Sequence, residues 1–350
     1  MYITSQLVAK SHLLNLLNNK VMKNLIYFII FIVILLGCKK EQPKLPNTTL
    51  TDNCPEQYIE RSTPLPDTLH KTDSYPITPG TYMFDYQTKF LLESPVSNPN
   101  NPFEFAFLRK LSENISPSYE LCIYNFCTNE LNVVTDVVSY SLDWGANNWL
   151  IFIGAGNQAW KIKPDGSGLT QLTFYGEPIT GAKWSPSGNK FVYSYFGSLY
   201  IANENGENIS QFSLNLSGSF WTWKGNNIIL YTNIQGDINT LDITTGNQEN
   251  IFSSNIEGIG PVSVDNEDNI YFNSSDRLYA LPFTGQLTQL DTNYFTFRAY
   301  YPQALGNNQL LMLRYVSDTS EYDNNIVLQS QYFSLFNLNT NEERIIDIPE

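Results

Sequence analysis

A polar turn residue followed by an apolar, strand-like run recurs at intervals of about 40 residues through most of this chain. The turn residues are Asn148, Asn189, Asn227, Asp268 and Asn308. The glycine of a second turn repeats with the same spacing, at Gly166, Gly206, Gly246 and Gly285. Two markers that share one period predict repeated structural units, each too small to bury its apolar residues alone.

Each repeat contains four strand-like runs. In the third repeat they are ITGAKW, NKFVYS, GSLYIAN and NISQFS. A further repeat precedes the five marked above, with Asn101 ahead of PFEFAFLRK; it is repeat one and brings the total to six. Because apolar side chains occur at both parities of these runs, both faces of every sheet must be covered. A ring of stacked sheets covers both faces. The sequence therefore predicts an all-β fold, a six-bladed β-propeller of four-stranded antiparallel blades over residues 80–350.

The motifs of two repeats resemble those of a known family. WSPSGNKFVYS, GSLYIANENGENISQFS and WKIKPDGSGLTQLT are similar to the TolB-type propeller repeat, with Ser187 where that family usually has Asp. The resemblance implies a TolB-like propeller fold and leaves function open, since propellers serve both as enzymes and as scaffolds. Trp144, Trp184 and Trp223 occupy matching positions, where we expect core residues between blades.

The N-terminal residues 1–37 have the pattern of a lipoprotein signal peptide. Twelve apolar residues, Leu25–Leu36, follow a lysine, which is short for a membrane span but suits a signal peptide. The sequence ending at Cys38 resembles the lipobox of bacterial lipoproteins, in which the cysteine becomes the lipidated N-terminus. Met22 fits this scheme as the true start. The polar, proline-rich residues 38–79 then form a flexible tether.

The chain is acidic, with a formal net charge of −14. This charge argues against a nucleic-acid partner and against electrostatic docking on anionic lipid. The predicted membrane attachment is therefore the lipid on Cys38. Together these features indicate a lipid-anchored protein of the bacterial cell envelope, at the periplasmic or surface face of the outer membrane.

Three cysteines remain after Cys38, and an envelope compartment permits disulfides. They are Cys54, Cys122 and Cys127. An odd number allows at most one bridge within the chain, and spacing does not choose among the three pairings. Either a disulfide from Cys54 to Cys122 or Cys127 attaches the tether to the first blade, or Cys122 and Cys127 form a disulfide within a hairpin.

Histidine is nearly absent, which excludes several chemistries. Only His12 and His70 occur, the first in the signal peptide and the second in the tether. Ser-His-Asp catalysis and a histidine-ligated metal centre on the propeller are therefore excluded, and neither a metal nor a cofactor is expected. Carboxylates are plentiful, so composition leaves a paired-carboxylate glycosidase open, with Asp85 and Asp143 on predicted inner strands.

Two groups of residues are candidate binding sites. The first is a mixed polar and aromatic lining of the central channel: Tyr82, Asp85, Tyr140, Asp143, Lys183, Trp221, Arg298 and Tyr300. Ordinary packing around channel water is the alternative for these. The second is a rim formed by two long loops of repeats one and six, residues 111–118 and 316–330, with Asp318, Glu321, Tyr322 and Asp323. Long loops on a rigid scaffold tend to carry function.

The sequence favours binding over catalysis. The leading hypothesis is an envelope lipoprotein whose TolB-like propeller binds or scaffolds a protein partner. The alternative is a glycan-binding protein or a carbohydrate-active enzyme that uses the channel carboxylates.

Overall fold

The structure is a computed structural model that describes residues 62–64, 83–86, 90–111, 119–253, 258–274, 277–283, 286–290, 297–306, 308–319 and 326–349. Within these ranges the chain forms strands, turns and one short 3-10 turn at Ala155–Asn157. No helix in the described ranges has the length and apolar character needed to cross a membrane. The predicted signal peptide and most of the predicted tether, with Cys38, Cys54 and His70, lie outside the described residues.

Twenty-four of the described strands form six antiparallel blades of four strands each, which confirms the predicted fold class. Blade one contains β3 (Phe90–Ser97), β4 (Glu104–Leu111), β5 (Tyr119–Asn125) and β6 (Glu130–Val138). Blade two contains β7 (Tyr140–Trp144), β8 (Leu150–Ile153), β9 (Ala159–Ile162) and β10 (Thr170–Gln171). Blade three contains β11 (Ala182–Trp184), β12 (Lys190–Tyr195), β13 (Ser198–Asn203) and β14 (Asn208–Ser213).

Blades four to six continue the same order. Blade four contains β15 (Leu216–Trp223), β16 (Ile228–Asn233), β17 (Ile238–Asp242) and β18 (Gln248–Phe252). Blade five contains β19 (Ile259–Val264), β20 (Ile270–Ser274), β21 (Arg277–Leu281) and β22 (Thr288–Gln289). Blade six contains β23 (Phe297–Gly306), β24 (Gln309–Thr319), β25 (Ile326–Asn337) and β26 (Glu343–Ile346). The first strand of each blade contacts the first strands of both neighbouring blades, β23 with β3 included, so six inner strands close a ring around one axis.

The hydrophobic core is divided into six clusters, one between each pair of neighbouring blades. Trp144, Trp184 and Trp223 are buried in three of these clusters, as the sequence predicts. Between blades six and one, the ring of Phe105 lies 5.3 Å from that of Phe333 at a T-shaped angle. The apolar residues at both parities of the strands thus pack against two neighbours.

Two short strands at the start of the described chain join blade six. β1 (Ser62–Pro64) pairs antiparallel with the outer strand β26, and β2 (Met83–Tyr86) pairs in parallel with Ile326–Gln329 of β25. The prediction that Asp85 lies on an inner strand is therefore wrong, because residues 83–86 pair with β25. The inner strand of blade one is β3.

The sequence hides β3 because Glu93, Ser94 and Pro95 interrupt its apolar run. The structure accommodates the interruption as a β-bulge: the pairing with β4 shifts between Glu93 and Val96, and Ser94 has φ 48°. A bulge adds a residue to one strand without ending the sheet.

The long segment predicted as a loop in blade six is mostly a hairpin. Val316 pairs with Ser330, and the pairing continues to Thr319 opposite Val327. β24 and β25 therefore extend past the blade, and only residues 320–325 between them lie outside the described ranges. Asp318 lies on β24 with its side chain undescribed; Glu321, Tyr322 and Asp323, like residues 112–118 of the other predicted loop, lie outside the described residues.

The described cysteines differ in state. Cys122 is a free, buried thiol, and burial raises its pKa to about 12. Cys127 is disulfide-bonded, and its partner lies outside the described residues. A free Cys122 excludes both the hairpin staple and a bridge from Cys54 to Cys122.

Candidate functional site: the axial channel and its mouth

A cavity of about 320 Å³ lies on the axis of the propeller. Every blade contributes to its wall from the inner strand or the segment leading into it, with Glu93, Tyr140, Lys183, Phe220, Pro261 and Tyr301 taken in blade order. Its volume is at the lower end of the range of about 300–1,000 Å³ typical of small-molecule sites. Serine, threonine and glutamine side chains complete the polar part of the wall.

Five inner strands have a shift of pairing beside this cavity: β3, β7, β15, β19 and β23. In β3, β7 and β23, which belong to neighbouring blades, the shift includes a residue with positive φ that is not glycine. The residues Ser94, Ser141 and Tyr301 at these bulges have φ of 48°, 53° and 51°, although none is glycine. Each such left-handed residue costs on the order of 1 kcal/mol or more. Bulges redirect side chains, so blades six, one and two turn polar groups into the wall at a cost in backbone strain.

Asp143 and Lys183 face each other across blades two and three. The backbone N–H of Trp184 donates a 2.7 Å hydrogen bond to Oδ2 of Asp143. Burial raises the pKa of Asp143 to about 6, against the opposing effects of the Lys183 charge and backbone hydrogen bonds. Burial lowers the pKa of Lys183, and the Asp143 charge partly offsets this. Each group therefore depends on the other to stay charged.

Glu93 lines the cavity although the sequence did not predict it, whereas Asp143, predicted as a lining residue, lies on the inner strand β7 but not in the cavity wall. Burial raises its pKa, while hydrogen bonds from Tyr315 and Tyr301 and the charge of Lys110 act in the opposite direction. The Tyr315 hydroxyl donates to Oε1 of Glu93 over 3.5 Å. The sequence does not reveal that Glu93 belongs to an inner strand, because Glu93 interrupts an apolar run. The one feature that pointed to this strand is that the five other repeats each have an inner strand.

The structure brings together only part of the predicted channel lining. Tyr140 and Lys183 line the cavity, and the Tyr140 hydroxyl donates to the backbone oxygen of Ile179 over 2.6 Å. The prediction for Trp221 is wrong, since it is 1% exposed and packs in the core between blades three and four. Its neighbour Phe220 faces the cavity instead, because consecutive strand residues point to opposite sides.

The remaining predicted residues lie elsewhere. Asp85 belongs to β2, which pairs with β25 and is not an inner strand, so the predicted pairing of Asp85 with Asp143 on adjacent inner strands is wrong. Arg298 and Tyr300 lie on β23, whose side chains at these positions are not described, and Tyr82 lies outside the described residues. In the described part of the chain, no group of three His, Cys, Asp or Glu side chains is placed to hold a metal ion.

Four aromatic residues lie at the end of the ring where the connections between blades run; three of them are in ring contact, and Phe174 precedes one of these, Tyr175, in the chain. We name Phe174, Tyr175, Tyr195 and Phe196 the mouth patch. The Tyr175 and Tyr195 rings stack at 4.2 Å, and Tyr195 meets Phe196 edge-on at 4.6 Å. Phe174 is 79% exposed and Phe196 75% exposed, large values for phenylalanine.

Strand direction places all four residues of the mouth patch at one end of the ring. Phe174 and Tyr175 follow β10 and lead into blade three, and Phe196 lies in the turn between β12 and β13. In an up-and-down blade these two kinds of connection lie at one end, opposite the turns that link the first and second strands. The segment from Phe174 onwards reaches the cavity wall at Thr180.

No protein-family model matches the sequence, and no curated protein matches it either. Among solved structures, the chain is similar to that of U3-55K, with 8% identity, a TM-score of 0.51, and coverage of 74% of this chain and 96% of that one. It is also similar to a putative TolB from Agrobacterium tumefaciens, with 13% identity, a TM-score of 0.47, and coverage of 63% and 85%. The C-terminal WD40 domain of Sif2 matches with 15% identity, a TM-score of 0.45, and coverage of 72% and 71%. These likenesses concern the fold alone.

Proposed function

We propose that this chain is a lipid-anchored protein of the bacterial cell envelope whose propeller binds a protein partner through the mouth patch. The observation that carries the binding proposal is the exposure of two phenylalanine rings, Phe174 and Phe196, which adjoin the stacked pair Tyr175 and Tyr195 along the chain. A contiguous exposed apolar patch on a folded protein marks an interaction site, whereas single exposed apolar residues are normal. The rings of Tyr175, Tyr195 and Phe196 are in contact and form a contiguous group. Aromatic anchors of this kind supply much of the energy of protein interfaces.

The rigidity of the site supports this assignment. Tyr175 and Tyr193 share a 2.6 Å hydrogen bond between their hydroxyls, and Asn208 is bonded to both. Because these polar ends are already bonded, the rings are held in place before a partner arrives. An interface that is ordered in advance loses less conformational entropy on binding.

The anchoring part of the proposal rests on the apolar run and Cys38 in the sequence. Replacing Cys38 with serine should move the protein from the membrane fraction to the soluble fraction. Mass spectrometry of the N-terminal peptide should find a diacylated or triacylated cysteine in the unmodified sequence. An unacylated Cys38 in membrane-bound protein would overturn the anchor.

Site-specific photocrosslinking in cells tests the partner. A photoreactive residue is placed at Phe196, with a matched control at Phe283, which is 68% exposed on the turn between β21 and β22 at the opposite end of the ring. We expect one discrete crosslinked protein from position 196 and not from position 283. Identical products at both positions, or none at either, would contradict a partner at the mouth patch, and the glycan hypothesis would then be tested by glycan-array binding.

Affinity for the identified partner gives the quantitative test. Replacing Phe174 and Phe196 together with alanine should weaken binding by about 30-fold, as expected for removal of interface anchors worth about 2 kcal/mol. Thermal stability should be unchanged, because neither ring is part of the core. Unaltered affinity would place the interface elsewhere.

A further inference from the structure

The axial cavity contains an ammonium group with unmet hydrogen-bonding capacity. Lys183 lines the cavity, and in the described part of the chain its Nζ has neither a hydrogen bond nor an ion pair within 4.0 Å. Its influence on Asp143 is a charge effect at longer range. A lysine ammonium has three donors, so it can bond to an acceptor that a ligand supplies.

A carboxylate occupies a different part of the same cavity. Glu93 accepts hydrogen bonds from tyrosine hydroxyls of blade six, yet no cation within ion-pair distance of it occurs among the described side chains. In the described ranges, no ion pair within 4.0 Å joins Lys183 to Glu93, which come from the inner strands of blades three and one.

Among the described side chains that line the cavity, the charged ones are Glu93 and Lys183, and their charges sum to zero. A ligand of high net charge of either sign is therefore disfavoured. A neutral ligand with separated charges would satisfy both Lys183 and Glu93.

We propose that the axial cavity is a binding site for a small zwitterion, a molecule of amino-acid or dipeptide size whose carboxylate bonds to Lys183 and whose ammonium group bonds to Glu93. Phe220, Pro261 and Leu142 in the wall contact its apolar part. The cavity volume of about 320 Å³ limits the ligand to this size. This site is separate from the mouth patch, and neither proposal depends on the other.

A ligand screen on the wild-type protein is the first test. The twenty common L-amino acids, glycylglycine and 6-aminohexanoate are added at millimolar concentration, and the melting temperature is measured. The best ligand is then compared by calorimetry with two analogues, one without the amine and one without the carboxylate. We expect both analogues to bind at least about tenfold more weakly, because each leaves one charge of the cavity without a partner.

Variants assign the two ends of the ligand. Lys183→Met should weaken binding by about 30-fold and Glu93→Gln by a similar factor, while Lys183→Arg should retain part of the affinity. Lys163→Met is the matched control, since Lys163 is exposed on a turn of blade two. Near-ultraviolet circular dichroism checks that each variant is folded, and the analogue comparison stands even where a variant does not fold.

The outcomes separate clearly. Binding of a zwitterion that is weakened in both variants and in both analogues supports the proposal. If no compound in the screen raises the melting temperature, if the carboxylate-only analogue binds as tightly, or if Lys163→Met has the same effect as Lys183→Met, the proposal is overturned.

Discussion

Replacing Asp143 with asparagine should change the way stability depends on pH. Asp143 is held beside the channel with its Oδ2 bonded to the N–H of Trp184, and its pKa is about 6 instead of 3.8. A folded-state pKa above the unfolded value means that the folded protein binds more protons between these two pH values. Wild-type stability from this group is therefore highest below about pH 4 and falls as pH rises through about 6.

The size of the effect follows from the shift. A difference of about 2.2 pKa units corresponds to about 3 kcal/mol at neutral pH, from 1.36 kcal/mol per unit. Asp143 is half-buried, so channel water screens part of this cost, and we expect about 1–3 kcal/mol. Asparagine has no proton to bind in this range and retains an oxygen that can accept the Trp184 hydrogen bond.

Urea denaturation followed by tryptophan fluorescence measures the effect at several pH values from 4 to 7.5. The free energy of unfolding of Asp143→Asn minus that of the wild type should rise by about 1–3 kcal/mol as pH rises from 4 through about 6, and should be constant at the highest pH values measured. Contributions from Glu93, whose pKa is also raised, are present in both proteins and cancel in the difference.

Asp242→Asn is a control that should show no slope in this range. Hydrogen bonds from Thr244 lower the pKa of Asp242, so its contribution to stability is complete above about pH 4 and is lost only as pH falls below that. The difference between this variant and the wild type should therefore stay flat from pH 4 to 7.5. A flat difference for Asp143→Asn, or the same slope in both variants, would refute the assignment of Asp143 as a carboxylate strained by burial.

Two further substitutions test the core and one turn by the same urea assay, each beside a matched control. Phe105→Ala should lower the free energy of unfolding by roughly 3–5 kcal/mol, because Phe105 is fully buried and packs on blade six. The control Phe174→Ala should change the free energy of unfolding by less than about 0.5 kcal/mol, because Phe174 is exposed. Equal effects of the two substitutions would contradict the packing of blade one against blade six. Gly206→Ala should lower the free energy of unfolding clearly more than Gly197→Ala, although both glycines have positive φ. A Cβ at Gly206 would lie 2.1 Å from the backbone oxygen of Leu172, whereas one at Gly197 meets nothing within 4 Å. Similar losses of stability in the two variants would show that backbone strain alone sets the cost.

The sequence predicts the repeated part of this molecule well. Its period counts the blades, and the tryptophans that recur with it, such as Trp184, lie in the core between blades. Both signals are local, because each repeat contains its own turns and its own four strands. The same local pattern placed Tyr140 and Lys183 in the channel.

What the sequence does not predict depends on contacts between distant residues or on backbone shape. β1 and β26 have no shared motif, and only the closed ring brings them together. Glu93 and Phe220 reach the channel through strand register and bulges, which shift a side chain from one face to the other with a single residue. Trp221 was misplaced for the same reason.

The pairing of β1 with β26 has a consequence for the order of folding. Blades one to five can each form from their own strands, but β1 precedes blade one and has no partner until β26 is in place. The ring therefore stays open until blade six has formed, with the aromatic face of Phe105 and Phe107 uncovered. Closure is a late event, and the open ring exposes apolar surface that makes it prone to aggregation.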